Sequence, residues 1–188
     1  MDGNFYSAQG NVYLKLEGEM TEEGSAEIKL VKVKNPLFVG EIAGPIKEFN
    51  DRIKIPTITY ETLYSYFCNT VQFGGDRAEF WIAYTDTIEN ELPKYTPLAF
   101  AHWFVKGLPH RGVVYCDFIY SWNRMREPIS KLIDEFLNFG TKNNSPYYEG
   151  EAINEAVFRV FRKAAYKKGL ELDKTNLTNF IGRRIKNG

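Results

Sequence analysis

VVYCDFIYSWNRMREPISKLIDEFLNFG, residues 113–140, runs directly into TKNNSPYYEGEAINEAVFRVFRKAAYKKG, residues 141–169, and the fold is most legible in these two stretches. Val113 to Tyr120 is apolar and β-branched enough for a buried strand, and Trp122 to Pro128 is a loop with two arginines. Ile129, Leu132, Ile133, Phe136 and Leu137 then recur at spacings of three and four, which places them on one face of a helix. Pro128 suits the first helical position, where no backbone donor is required, and Gly140 suits the stop. Tyr147 to Ile153 fits a strand. A second helix opens at Asn154, whose side chain can accept from free backbone N–H groups. It buries Val157, Val160, Phe161 and Ala164 and closes on Lys167, Lys168 and Gly169, cations and then a glycine. A strand leading into a helix N-terminus is suited to holding an anionic ligand.

Outward from this centre the chain reads as more strands. Asn11 to Glu17 and Ala26 to Val33 alternate, with a hairpin loop at Thr21 to Gly24. Leu37 to Ile42 reads as a third short strand closed by Gly44 and Pro45. These pieces predict an N-terminal β-meander over residues 1–55, extra to a main unit over 56–188 and packed with it as one body. Tyr60 to Gln72 is expected to be a helix with Leu63, Phe67 and Val71 inward, ended by Gly74 and Gly75. Glu79 to Thr85, Leu98 to Val105 and Val113 to Tyr120 are strands whose short connections imply antiparallel neighbours. A last strand is expected at Asn179 to Ile185. The predicted class is α+β, a mixed and mostly antiparallel sheet flanked by helices.

At 188 residues, with 44% apolar and 15% aromatic residues, the chain suits one folded body with a substantial core. Formal charge is zero but uneven: residues 1–100 carry nine Lys/Arg against fifteen Asp/Glu, and residues 151–188 carry nine against four. The basic C-terminal part can meet phosphates or an acidic partner, or simply be a solvated face. Cys68 and Cys116 are far apart and make neither a disulfide framework nor a metal pattern, which points to a reducing, cytoplasmic setting. With only two histidines, His102 and His110, a zinc site is not expected. The first residues lack the basic start and apolar core of a signal peptide, and no apolar run reaches the roughly 18 residues of a membrane span.

The order of elements and two local motifs resemble the GNAT superfamily of N-acetyltransferases, over about Tyr60 to Ile185. In that family a helix runs Asn, two residues, Ala, a hydrophobic pair and Tyr. Here Asn154-Glu-Ala-Val157-Phe158-Arg-Val160-Phe161-Arg-Lys-Ala-Ala165-Tyr166 keeps the asparagine, the apolar phase and the final aromatic. The family's acetyl-CoA loop is Arg-x-x-Gly-x-Gly/Ala followed by Leu. Arg124 and Leu132 fall in register, while Glu127, Pro128 and Ile129 occupy the loop's Gly-x-Gly/Ala segment. Each change weakens anion binding: a carboxylate repels, an imino acid lacks a donor, and a branched side chain crowds. Where the family frequently carries an acidic tyrosine, this chain has Phe161, with Tyr166 nearby at another offset.

The resemblance implies an acetyl-CoA cofactor held by Ile119, Ser121, Arg124, Arg126 and Asn154, and an amine acceptor on a small molecule or protein. Asp117, the carboxylate of strand 113–120, is the candidate general base; its bland alternative is a solvated or capping side chain. His102 is either an acid/base or a hydrogen-bonded sheet histidine. Tyr147 and Tyr148 either line a cleft or are ordinary strand residues. Trp81, Trp103 and Trp122 read as core or rim packing, because strand 98–105 lacks the interleaved cations of a nucleic-acid platform. Gly74-Gly75-Asp76 is a turn, not a phosphate loop. Two functions stay open: an acetyl-CoA-dependent acyltransferase, or a catalytically inactive protein of the same fold, of viral or phage type. The second would act in binding or assembly through its N-terminal strands, since open edges pair with other chains, and through its basic end.

Overall fold

The computed structural model describes residues 5–6, 12–13, 27–53, 57–89, 92–107, 112–121, 125–151, 155–174 and 179–184. Two short strands, β1 (Phe5–Tyr6) and β2 (Val12–Tyr13), pair antiparallel with each other. After them come β3 (Ile28–Lys32), a 3-10 helix (Pro36–Ile42), α1 (Ala43–Ile53) and α2 (Tyr60–Phe73). The centre comprises β4 (Ala78–Glu89), β5 (Leu92–Lys106), β6 (Val113–Ser121) and α3 (Arg126–Lys142). β7 (Tyr147–Glu151), α4 (Glu155–Lys167), β8 (Leu170–Lys174) and β9 (Asn179–Arg184) follow.

Seven strands form one sheet in the order β3-β4-β5-β6-β7-β9-β8. Its neighbours are antiparallel except β6 and β7, which run parallel with α3 as the crossover. Each face of the sheet buries its own cluster. On one side Trp103, Val114, Cys116, Leu132, Phe136 and Phe161 pack beneath α3 and α4. On the other, Val39, Ile42, Ile46, Phe49, Leu63, Phe67 and Phe100 pack beneath the 3-10 helix, α1 and α2. The α+β class, the mixed, mostly antiparallel sheet and the antiparallel β4-β5-β6 run match the reading from sequence.

The stretch 37–42 does not. Leu37 to Ile42 is helical, and the helix continues through Gly44 and Pro45 into α1. Asn35 starts it: its Oδ1 accepts from the Leu37 N–H at 3.0 Å, with Pro36 next in the first turn. Pro45 is the third residue of α1, where an N–H is not required. Val39, Ile42, Ile46 and Phe49 are all buried, at spacings of three and four that belong to a helix. Over residues 27–53 the expected meander is therefore a strand and two helical segments, and β3 is an edge strand of the main sheet, paired to β4.

Two corrections concern α3. Pro128 is its third residue rather than its first, still within the donor-free turn. Gly140 lies inside the helix, which ends only at Lys142; Asn144 takes the left-handed conformation at φ 51°. Gly140 is required for a different reason: a Cβ there would overlap the Tyr148 ring of β7. The strand at 170–174 was not expected at all; it buries Leu170 and Leu172. The Thr21–Gly24 loop, Trp122, Arg124 and Asn154 lie outside the described residues.

Candidate active site

β6 and β7 pair over four positions, from Val113 opposite Tyr147 to Cys116 opposite Gly150. Beyond Cys116, β6 continues to Ser121 with no β7 partner, while β7 ends at Glu151 in register with β9. The pair therefore opens in the middle of β6. An irregularity on β6's other side falls at the same place. Trp103 of β5 faces Cys116 and His102 faces Phe118, so Asp117 is an extra residue, a β-bulge.

The bulge resets which way the strand points. Val114 and Cys116 lie in the α3/α4 cluster, but Phe118 and Tyr120 join the α1/α2 cluster, and Ile119 packs against the first. Without an extra residue, positions 114, 116, 118 and 120 would share one face. The same phase change separates two of the predicted site residues. Asp117 is engaged from α2, whereas Ile119 packs toward α3.

Asp117 Oδ2 accepts two hydrogen bonds, from the Tyr66 hydroxyl at 2.9 Å and from His102 Nδ1 at 3.1 Å. A carboxylate only accepts, so Nδ1 carries the hydrogen. The far side of the ring, Nε2, stands 3.2 Å from Thr70 Oγ1, within hydrogen-bond distance. His102 is 1% exposed, and the Asp117 side chain is 21% exposed. Asp117 Oδ1 has no hydrogen-bond partner among the described residues. Burial, followed by the Asp117 charge and hydrogen bond, pushes the Tyr66 hydroxyl well above the ordinary tyrosine value. Tyr66 also meets the rings of His102 and Phe118 edge-on, at 4.9 and 6.4 Å between centroids.

Ser121 ends β6 and its Oγ is shielded with no hydrogen-bond partner among the described residues. Arg126 is the exposed first residue of α3, and Met125 before it supplies no side-chain cap. The first-turn N–H groups of Arg126 and Glu127 consequently lack a side-chain acceptor, while Pro128 has no N–H to offer. Glu127 is exposed and only 4.0 Å from Lys131, a loose pairing. Phe161 is buried against Phe136 and has no proton to give; Tyr166 is 76% exposed on the outer side of α4.

Reading residues in sequence singled out Asp117 and His102, but not Tyr66, which bonds Asp117, or Thr70, which bonds His102. The signal was the i, i+4 pair Tyr66 and Thr70 on α2, polar beside the inward Phe67, together with a histidine in an apolar strand. His102 is the hydrogen-bonded sheet histidine of the bland alternative. Tyr148 is buried and its hydroxyl donates to the Leu137 carbonyl at 3.3 Å, whereas Tyr147 is exposed. Trp103 is fully buried and stacks at 6.1 Å on the partly buried Trp81, as packing residues.

No protein-family model matches the chain, and no curated protein matches it. Solved structures do match its fold. A probable acetyltransferase from Staphylococcus epidermidis is 11% identical, at a TM-score of 0.55, over 84% of this chain and 97% of that one. An aminoglycoside acetyltransferase, solved in complex with coenzyme A and kanamycin, is 11% identical, at a TM-score of 0.53, over 84% and 95%. A predicted acetyltransferase from Clostridium acetobutylicum, solved with acetyl-CoA, is 17% identical, at a TM-score of 0.50, over 81% and 94%. The chain has the GNAT fold. At these identities the likeness establishes the architecture alone.

Proposed function

We propose that this chain is an acyl-CoA-dependent N-acyltransferase in which Asp117 takes the proton of the acceptor amine. One observation carries the reading: the bulge at Asp117 coincides with the residue where β6 and β7 part. A proton acceptor and an open strand edge are thereby next to each other. Residues 117–121 present backbone N–H and C=O groups without a β7 partner, and an extended amide-bearing arm can add to such an edge as a strand would. The uncapped first turn of α3, with the exposed Arg126 at its head, supplies donors for phosphate oxygens. These groups fit acetyl-CoA, which when bound supplies an activated acyl thioester.

Asp117 is prepared for its part by its neighbours. Tyr66 and His102 occupy Oδ2 and fix the plane of the carboxylate, which leaves Oδ1 to receive a proton from an ammonium group. Thr70 in turn holds the imidazole. The amine, once neutral, has the lone pair that attack on an acyl carbon requires, and the strand edge aligns the two reactants.

The second reading, a binding protein without chemistry, draws on Glu127 and Pro128 in α3's first turn and on Phe161 in the core. One experiment separates the two. Purified protein is titrated with acetyl-CoA while thermal stability is followed, and thiol release is then measured over a panel of amines. A ligand at a hundred times its dissociation constant adds about 2.7 kcal/mol. A stabilising shift plus amine-dependent thiol release supports the enzyme. The absence of any shift at millimolar acetyl-CoA removes it in favour of the binding protein.

A further inference from the structure

The solvent face of α4 has no role in the reading above, yet it is the most strongly charged helix surface described. Arg159, Arg162, Lys163, Tyr166 and Lys167 are all exposed. Their spacings of three, four, seven and eight residues from Arg159 keep them within an arc of about 140° and over about 12 Å of helix. No acidic residue occurs between Phe158 and Gly169. Arg162, Lys163 and Lys167 have no ion-pair partner among the described residues. Lys168 is different: it turns back to α3, 2.9 Å from Asn138 Oδ1 and 3.9 Å from Asp134. Tyr166 stands among the cations with 76% of its surface in water.

We infer that this face binds single-stranded nucleic acid, with the cations on phosphates and the Tyr166 ring stacked on a base. Charge complementarity calls for a polyanion, and the other features choose which. An anionic membrane would need an apolar face to enter the headgroup region, but Phe158, Phe161, Ala164 and Ala165 are already buried in the core. A protein interface of ordinary size has an apolar centre ringed by polar groups, and among the described residues the α4 face offers one aromatic ring and no exposed aliphatic side chain. Cations interleaved with an exposed aromatic are what a flexible strand with unpaired bases requires. Four cations of the basic excess in residues 151–188 thus lie on this one face.

Fluorescence anisotropy with labelled oligothymidylate and oligouridylate of about 12 nucleotides tests this. Binding should be saturable at low salt, and log K should fall against log salt with a slope of about −2 to −3, as three or four neutralised phosphates demand. R162E/K163E should weaken binding at least tenfold and flatten the slope; Y166A should weaken it about fivefold or more, and Y166F should not. Circular dichroism establishes that each variant is folded, and should the double reversal fail to fold, R162A and K167A read out the same slope. An unchanged affinity and slope in the charge variants overturns the inference. So does polyglutamate competing charge for charge with Y166A neutral, which would make the partner an acidic protein. Binding to anionic phospholipid vesicles without binding to either oligonucleotide overturns it as well.

Discussion

His102 and Asp117 stand 3.1 Å apart on adjacent strands, although the register between those strands passes Asp117 over. A residue left unpaired by a bulge is free to re-aim its side chain, and here it is aimed at a buried imidazole and a helix tyrosine. The network Thr70–His102–Asp117–Tyr66 therefore ties α2 to the sheet at the point where the sheet opens.

If that tie is structural as well as chemical, His102→Phe should cost stability. It leaves the partly exposed Asp117 and Thr70 each short of a partner, and the net loss of a hydrogen bond costs about 0.5–1.5 kcal/mol. Urea unfolding measures this. A double-mutant cycle of His102→Phe with Tyr66→Phe should show coupling between the two hydrogen bonds to Asp117; strict additivity would mean that they act independently.

Activity should respond to Asp117 through its charge. Asp117→Asn keeps the shape and the acceptor oxygen but cannot take a proton, so kcat with an amine acceptor should fall about 100- to 10,000-fold. Acetyl-CoA binding should be unaffected. In the opposite direction, Glu127→Gln removes a negative charge from the first turn of α3 and should tighten acetyl-CoA about two- to fivefold, measurable by calorimetry.

Glu79 should be among the costliest side chains to remove. Its carboxylate is 5% exposed and accepts from Lys32 Nζ at 2.7 Å, Trp81 Nε1 at 2.8 Å and Trp103 Nε1 at 3.3 Å. Glu79→Ala strands an ammonium and two indole N–H groups, a loss of about 3–5 kcal/mol. Glu79→Gln retains an acceptor oxygen and should lose less, again by urea unfolding.

Gly140→Ala should destabilise even though alanine is the better helix former by about 1 kcal/mol. The added methyl overlaps the Tyr148 ring, and overpacking of this kind costs about 1–3 kcal/mol. Adding Tyr148→Leu should recover part of the loss; if Gly140→Ala alone is neutral or stabilising, the close approach of β7 to α3 is wrong.

Alkaline pH should weaken the fold through its tyrosines. Burial and then the Glu48 hydrogen bond push Tyr120 up to about 12 from an ordinary 10.0. Its hydroxyl donates to Glu48 at 3.0 Å, so the folded state favours the neutral form. With a raised folded value, the contribution is fully present below pH 10.0 and is lost as pH rises through about 12. Urea midpoints across that window should decline, and Tyr120→Phe should decline less.

Local pattern alone determined much of the chain: the 3.6-residue periodicity of α2, α3 and α4, the apolar strands β4 to β6, their antiparallel order, and the presence of Asp117 on β6. Each of these depends on neighbours in sequence, where side-chain spacing and short connections leave little choice. Only the tertiary structure decided the helical course of residues 36–53, where the apolar run 37–42 fits either period until a surface is there to bury it. It also decided the role of Gly140, which depends on a tyrosine from another element. Above all it decided the site. A bulge is a mismatch in count between two strands, and neither strand records it alone; it placed Asp117 against Tyr66 and His102 and turned Ile119 to the opposite face.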